Sequence, residues 1–168
     1  LAVARPKHKQ DVQKIIAFAN KYKIGIIPRT AGTSLAGQVV GKGIIVDVSK
    51  YFTEIYEINT KEKWVRLQPG IVLDELNKKL EPLNLFFGPE TSTSNRCMVG
   101  GMVGNNSCGS HSVIYGTTRD HLLEINGFLS DGSEVTFKSL NLEEYNAKLS
   151  LDNLEGNIYR FINETLTN

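Results

Sequence analysis

The stretch PRTAGTSLAGQ, residues 28–38, combines two glycines with three small hydroxyl residues and follows the apolar run GIIP. Its single charged residue is Arg29, near its start. Consecutive small residues allow a backbone to curl so that several N–H groups converge on one point, where they bind an anion. A tight turn built from small residues has the same composition. Taken alone, the stretch leaves both interpretations open.

Known phosphate-binding motifs do not fit this loop. Gly32 and Gly37 have the spacing of a P-loop, but Gln38 and Val39 occupy the positions of its Lys and its Ser or Thr. The GxGxxG pattern of a dinucleotide-binding sheet is missing, and the GKG at 41–43 leads into a predicted strand rather than a helix. An anion site of a more general kind, or a simple turn, remains.

The segments around this loop predict one small layer of strands and helix. From His8 to Tyr22 the apolar residues recur at helical spacing, and the apolar runs at 25–28 and 44–48 are typical of short buried strands. A strand, a helix and a strand in close succession predict a small parallel βαβ subdomain that carries the loop.

A larger part with mixed or antiparallel strands is predicted after residue 50. Segments 54–59 and 63–68 have strand composition and favour a hairpin, and the DG at 131–132 favours another. A helix is predicted at 71–80, immediately after the PG at 69–70, and polar helices are predicted from Asn141 onward. The predicted fold class is α+β, with the small parallel subdomain packed on the larger one.

Residues 88–116 form a second stretch of small residues, with glycines at 88, 100, 101, 104, 109 and 116. The stretch has low charge and no clear periodicity, and long segments of this kind are usually functional or disordered. Its interspersed apolar residues favour function. Two such stretches on one chain predict an elongated ligand between them, whereas a glycine-rich structural crossover is the alternative.

Composition limits the possible partners. The net charge of +1 over 168 residues provides no basic field for nucleic acid. No apolar run reaches the roughly 20 residues that span a bilayer, and no signal peptide is evident. Cys97 and Cys108 lack the CxxC spacing of a zinc site, so no metal is predicted and a cytoplasmic location is expected. Because the chain starts at Leu1 and stops after a helical pattern, a fragment of a larger protein is expected.

Three motifs in order carry a resemblance: PRTAGTSLAGQ, then VRLQPGIVLDELNKKL, then GPETSTSNRCMVGGMVGNNSCGSHSVIYGTTRDHLLEINGFLSDGSEV. They resemble the FAD-binding domain of the PCMH type, found in the vanillyl-alcohol oxidase superfamily. The third motif looks most like long FAD-linked oxidases of the D-lactate dehydrogenase and glycolate oxidase type. The resemblance implies an FAD-binding domain at 1–137, with subdomains at about 1–50 and 51–137 and FAD in the cleft between them. Residues 138–168 would be a helical extension.

The resemblance also implies which residues contact FAD. The first loop would wrap the pyrophosphate through backbone N–H groups, the PG would lie near the nucleotide, and the second stretch would run beside the flavin. Arg29 is assigned to phosphate in preference to a substrate carboxylate, and His111 is interpreted as a polar loop residue rather than an acid or base. The residues assigned to the cofactor are Arg29, Thr30, Ala31, Gly32, Thr33, Ser34, Gly37, Gln38, Pro69, Gly70, Pro89, Thr91, Ser92, Gly100, Gly101, Asn105, Asn106, Gly109, Tyr115, Gly116 and Thr117.

The first loop departs from the family pattern, because Thr30 and Ala31 replace two glycines of the usual RGGGTS or RGGH. Family members with covalent flavin commonly have a His in this loop. This loop contains no His, which predicts FAD that is held without a covalent bond. The catalytic base, the substrate pocket and any iron–sulfur cluster are expected in sequence outside this chain, so the catalytic residues stay unassigned.

The implied activity is oxidation of a small 2-hydroxy acid of the D-lactate or glycolate type. In this family a hydride passes to flavin N5 while a base takes the hydroxyl proton; the electron acceptor is not implied. In the full-length protein, association with a membrane surface is left open. Two alternatives remain: a UDP-sugar reductase of the same fold with a nicotinamide donor, and a cofactor-binding module that is inactive without its substrate domain.

Overall fold

The first loop leaves the C-terminal edge of a three-stranded parallel sheet. The computed structural model describes residues 2–167. The sheet contains β1 (Ala2–Ala4), β2 (Ile26–Arg29) and β3 (Ile44–Asp47) in the order β1-β3-β2. Helix α1 (Lys9–Tyr22) connects β1 to β2. The predicted parallel βαβ subdomain is confirmed, but its first strand, β1, was not identified in the sequence.

The predicted hairpin after residue 50 is also confirmed. Strands β4 (Ile55–Asn59) and β5 (Trp64–Leu67) pair antiparallel, and helix α2 (Leu73–Leu80) follows the turn at Pro69 and Gly70. The apolar face of α2 supplies much of the core, because the helix buries its apolar residues against this hairpin. The buried residues of this cluster are Ile71, Leu76 and Leu80.

The glycine-rich stretch contains two short helices that the sequence interpretation missed. Helix α3 covers Val99–Asn105 and helix α4 covers Ser112–Tyr115. Glycine disfavours helix by about 1 kcal/mol per residue relative to Ala, so propensity gave no signal for α3. Tertiary contacts supply it: the Met102 side chain is 1% exposed and lies in a cluster with Leu73 and Cys97.

The chain divides into two compact units, of which the first ends at Leu122 and the second begins at Leu123. In the second unit, β6 (Glu124–Phe128) and β7 (Glu134–Lys138) form the predicted antiparallel hairpin around the DG turn. Helices α5 (Leu142–Leu149) and α6 (Leu154–Thr167) confirm the predicted helical tail. The α+β class is confirmed, whereas the domain boundaries at 50 and 137 stay predictions.

No helix within residues 2–167 combines the length and the apolar character that crossing a membrane requires.

Candidate cofactor-binding site

The first loop curls around the side chain of Arg29, the last residue of β2. The Arg29 Nε donates to the Thr30 carbonyl oxygen at 3.2 Å, and Nη2 donates to the Ala31 carbonyl oxygen at 3.1 Å. Gly32 and Gly37 have φ angles of 70° and 78°, in the left-handed region that glycine adopts without strain. These two glycines therefore let the loop curl.

Four consecutive half-buried residues of this loop have backbone N–H groups without a protein acceptor. Among the residues that the structure describes, the amides of residues 31–34 donate no hydrogen bond. All four residues are half-buried. Since most buried backbone N–H groups in folded proteins are paired, a half-buried row of unpaired donors is suited to a bound anion.

The first loop lies directly against helix α3. Thr30 is 8% exposed, and a Cβ added to Gly101 would stand 2.7 Å from the Thr30 Oγ1. At the other end of the loop, the Gln38 Nε2 donates to the Asn105 Oδ1 at 3.5 Å. The structure therefore brings the two small-residue stretches together, as the sequence required for one ligand that contacts both.

The Ser34 hydroxyl and the Asn105 amide are both engaged within this region. The Ser34 Oγ donates to the Gln38 Oε1 at 2.6 Å, and the Asn105 Nδ2 donates to the Ser107 Oγ at 3.3 Å. These bonds form a short polar chain along the edge of the loop. They fix the direction of the side chains on which hydroxyl and amide recognition would depend.

The turn at Pro69 and Gly70 packs against the start of helix α3. The Gly100 N–H donates to the Pro69 carbonyl oxygen at 2.9 Å, and a Cβ on Gly100 would overlap the Pro69 ring. Gly70 is buried, and a Cβ there would stand 2.6 Å from the Phe52 carbonyl oxygen. Both glycines are thus required by close protein packing.

The segment at 89–92 is held mainly by internal contacts. Pro89 is fully buried, and the Thr91 Oγ1 lies 3.2 Å from the Cys97 Sγ. A Cβ on Gly109 would overlap the Glu90 carbonyl oxygen, so the two backbones are in close contact. Of the residues predicted here, Ser92 is the one that the structure exposes.

Asn106 ends helix α3 and ties it to the following turn. Its φ of 46° is left-handed, and its Oδ1 accepts from the Arg119 N–H at 2.9 Å. The Thr117 N–H and Oγ1 both donate to the Asp120 carboxylate, at 2.7 and 2.9 Å, and these bonds lower the pKa of Asp120. Gly116 precedes this turn. The predicted residues Asn106 and Thr117 therefore make structural hydrogen bonds.

An aromatic and charged group lies around Tyr115. The Tyr115 ring meets the Phe86 ring edge to face at 5.1 Å between centroids. His111 is exposed, and its Nδ1 lies 2.6 Å from the Glu90 Oε2. The sequence interpretation missed Glu90 as the partner of His111. Nothing in the spacing of 21 residues indicated that the two loops would meet.

The Asp47 carboxylate lies on the strand next to Arg29. The two residues are paired in register between β2 and β3. Burial raises the pKa of Asp47. Hydrogen bonds from the Ser49 hydroxyl and N–H, together with the charges of Arg29 and Arg5, lower the pKa by more than burial raises it, so that it falls below its usual value. The carboxylate thus stays ionised beside the loop.

A separate groove of about 600 Å³ is formed by strand β4 and helix α2. None of the predicted cofactor residues lines it. The first loop and α3 instead offer an open surface, since within residues 2–167 no atom beyond the local backbone lies within 4 Å of a Cβ built on Gly37 or Gly104.

Residues 1–138 match the family model described as an FAD binding domain. The chain belongs to this family. The resemblance to PCMH-type FAD-binding domains is therefore confirmed, and FAD is the cofactor that the family binds. The row of unpaired amides in the first loop fits such a phosphate-containing cofactor.

Curated relatives whose names state an enzymatic activity match this region of the chain. The chain is 42% identical over 143 residues to the D-2-hydroxyglutarate dehydrogenase of Haemophilus influenzae, covering 83% of the chain and 14% of the relative. It is 33% identical to the glycolate oxidase subunit GlcD of Escherichia coli K12, covering 83% of the chain and 28% of the relative. It is 31% identical to the mitochondrial D-lactate dehydrogenase [cytochrome] of Kluyveromyces lactis, covering 81% and 24%. The chain thus spans about a seventh of the length of the first relative.

Solved structures share the fold. The 6-hydroxy-D-nicotine oxidase of Arthrobacter nicotinovorans superposes with a TM-score of 0.71 at 21% identity, covering 81% of this chain and 29% of that one. Physcomitrella patens BBE-like 1 superposes with a TM-score of 0.73 at 21% identity, covering 84% and 31%. At this identity the likeness concerns the fold alone.

Proposed function

We propose that this chain is the FAD-binding part of an FAD-dependent oxidoreductase that oxidises a small 2-hydroxy acid. The observation that carries the proposal is the row of four unpaired backbone N–H groups at residues 31–34. These donors bind the pyrophosphate of FAD, and the positive φ of Gly32 lets the loop curl around it. The anion is held chiefly by backbone dipoles.

The remaining predicted residues divide between contact and support. Gln38, Gly101 and Asn105 border the loop and extend the binding surface along α3. Gly100 and Pro69 hold α3 in place beneath it. The second stretch, with Ser92, Tyr115 and the turn at Gly116 and Thr117, forms the flavin end of the site. Pro89, Gly70, Thr91, Asn106 and Gly109 support it through the internal contacts described above.

When bound, the flavin supplies a two-electron acceptor for the oxidation, and the chain supplies binding and orientation. The relatives named as D-2-hydroxyglutarate dehydrogenase, glycolate oxidase subunit and D-lactate dehydrogenase support a 2-hydroxy acid as the substrate class. Since the chain spans a small share of their length, we propose that the chain alone binds FAD without turnover. The cytoplasmic location and an iron–sulfur cluster outside this chain stay predictions, and the electron acceptor stays unassigned.

The proposal is tested by titrating the purified chain with FAD and following the flavin absorbance. Saturable binding with a perturbed flavin spectrum is expected. Thr33→Asp should weaken binding at least tenfold, because it places a carboxylate beside the pyrophosphate. Thr60→Asp is the matched control, since Thr60 lies in the exposed turn of the hairpin β4–β5, away from Pro69. A folded chain that binds no FAD, or equal affinity in both variants, contradicts the proposal.

A further inference from the structure

The guanidinium of Arg29 is turned back onto its own loop. It donates from Nε to the Thr30 carbonyl oxygen and from Nη2 to the Ala31 carbonyl oxygen, at 3.2 and 3.1 Å. Two consecutive peptide groups are therefore held through their carbonyl oxygens by a single planar cation. A planar fork of donors suits this task, whereas the ammonium of Lys is a compact point charge on a flexible stem.

Holding a carbonyl oxygen also sets the direction of an N–H group. In a trans peptide the C=O of one residue and the N–H of the next point in opposite directions. The carbonyls of Thr30 and Ala31 point at the guanidinium, so the N–H groups of Ala31 and Gly32 point away from it. These are two of the four unpaired donors of the loop.

Gly32 also lies close to the guanidinium of Arg29. A Cβ built on Gly32 would stand 2.8 Å from the Arg29 Nη2 and 3.0 Å from its Cζ. Any side chain at this position would displace the guanidinium from the carbonyls. The positive φ of Gly32 and the position of Arg29 are therefore parts of the same local arrangement.

Asp47 supplies the opposite charge on the side of the sheet. It pairs in register with Arg29 on the neighbouring strand, and its carboxylate is oriented by the Ser49 N–H and hydroxyl at 3.0 and 2.6 Å. An oriented carboxylate near Arg29 favours a guanidinium that stays on the sheet side of the loop. The Asp47 charge thereby adds a longer-range attraction to the two carbonyl hydrogen bonds of the guanidinium.

We propose that Arg29 is a positioning residue for the anion loop: its guanidinium fixes the carbonyls of Thr30 and Ala31 and thereby aims the N–H groups of Ala31 and Gly32 at the pyrophosphate, without contacting the pyrophosphate itself. The inference rests on the proposed FAD site. It replaces the sequence expectation that Arg29 binds phosphate directly, because the carbonyl side and the N–H side of the same peptide groups face opposite directions.

The test compares Arg29→Lys with Arg29→Gln in FAD titrations of the chain. Lys keeps the charge but loses the fork, so both variants should lose affinity to a similar degree, by about tenfold or more. Arg5→Lys is the control: Arg5 also lies near Asp47, at 3.6 Å, but contacts no loop carbonyl. It should bind FAD as the wild type does. Wild-type affinity in Arg29→Lys, whether or not Arg29→Gln loses binding, overturns the inference.

A measurement without ligand separates this inference from the proposed function. In the ¹⁵N-labelled chain without FAD, Arg29→Lys should shift the backbone amide resonances of Ala31 and Gly32 and leave that of Thr60 unchanged. Unshifted loop resonances in a folded variant overturn the positioning role. A wild-type chain that binds no FAD contradicts the proposed function instead, whereas the resonances still report whether Arg29 orders the loop.

Discussion

A methyl group added at Gly100 tests how closely helix α3 packs on the PG turn. Gly100 and Gly104 lie in the same helix, but only Gly100 faces Pro69. A Cβ on Gly100 would overlap the Pro69 Cβ and stand 3.0 Å from the Pro69 Cα and carbonyl oxygen, whereas no atom lies within 4 Å of a Cβ on Gly104. Gly104→Ala is therefore a matched control in the same helix.

The difference between the two variants isolates the contact with Pro69. Replacing Gly with Ala inside a helix gains about 0.5–1 kcal/mol from backbone conformational entropy, and both variants share this gain. Overpacking costs about 1–3 kcal/mol, and here the atoms in the way belong to a proline ring and the main chain, which cannot rotate aside. Gly104→Ala should be more stable than the wild type, and Gly100→Ala should lie about 1–3 kcal/mol below Gly104→Ala.

Urea unfolding monitored by tryptophan fluorescence measures this difference. Trp64 is the single tryptophan and lies in the first unit, so the signal reports the unit that contains α3. With a slope of about 1–3 kcal/mol per molar urea, the midpoints of the two variants should differ by roughly 1 M. Equal midpoints would mean that α3 does not press on the PG turn as described. Gly100→Ala should also bind FAD more weakly, because the displaced helix borders the first loop.

Three further outcomes are expected. Asp47 has a folded-state pKa below its usual value of 3.8. Its contribution to stability is therefore complete above about pH 4 and is lost as the pH falls through the folded pKa. In urea unfolding, Asp47→Asn should show a smaller loss of stability between about pH 5 and 3 than the wild type. Asn106→Ala should lower the free energy of unfolding by about 1–2 kcal/mol in thermal unfolding, because it loses the hydrogen bond to Arg119. Asn106→Gly loses the same bond but adopts the positive φ without strain, so its free energy of unfolding should fall by less. Denaturation followed by ultrafiltration should release all flavin from the FAD-loaded chain, and flavin retained with the polypeptide would contradict non-covalent binding.

Elements with a clear hydrophobic period were predictable from the sequence. Helix α1 shows helical spacing in its apolar residues, and the hairpin β4–β5 shows strand composition on both sides of a polar turn; the structure places both within a few residues of the predicted bounds. Strand β1 is three residues long, which is too short for an alternation to be visible. Helix α3 was hidden because its glycines oppose helix formation locally, and its stability comes from contacts distant in sequence.

The candidate site was also only partly predictable from the sequence. Composition alone left an anion site and a simple turn both open for the first loop, and the resemblance to FAD-binding domains favoured the anion site. The positive φ of Gly32 and Gly37 agrees with a curled loop. The burial of Thr30 against Gly101 was not predictable, because those residues are 71 positions apart and meet only through tertiary folding. Pairing between His111 and Glu90 was hidden for the same reason. Sequence pattern indicates what a loop is able to bind, whereas the direction of each donor depends on the partners that surround it.

The unpaired amides of the first loop contrast with the satisfied amides at the start of helix α3. At the start of α3, where a helix leaves its first N–H groups without internal acceptors, the amides of Val99 and Gly100 donate to the carbonyl oxygens of Ile71 and Pro69, each at 2.9 Å. Leaving one such group unpaired in a buried position costs about 1–3 kcal/mol. Four in succession at residues 31–34, on a half-buried loop in which Arg29 holds the carbonyls of Thr30 and Ala31, therefore support the proposed anion site. The pyrophosphate of FAD meets that requirement in a family whose domains bind this cofactor.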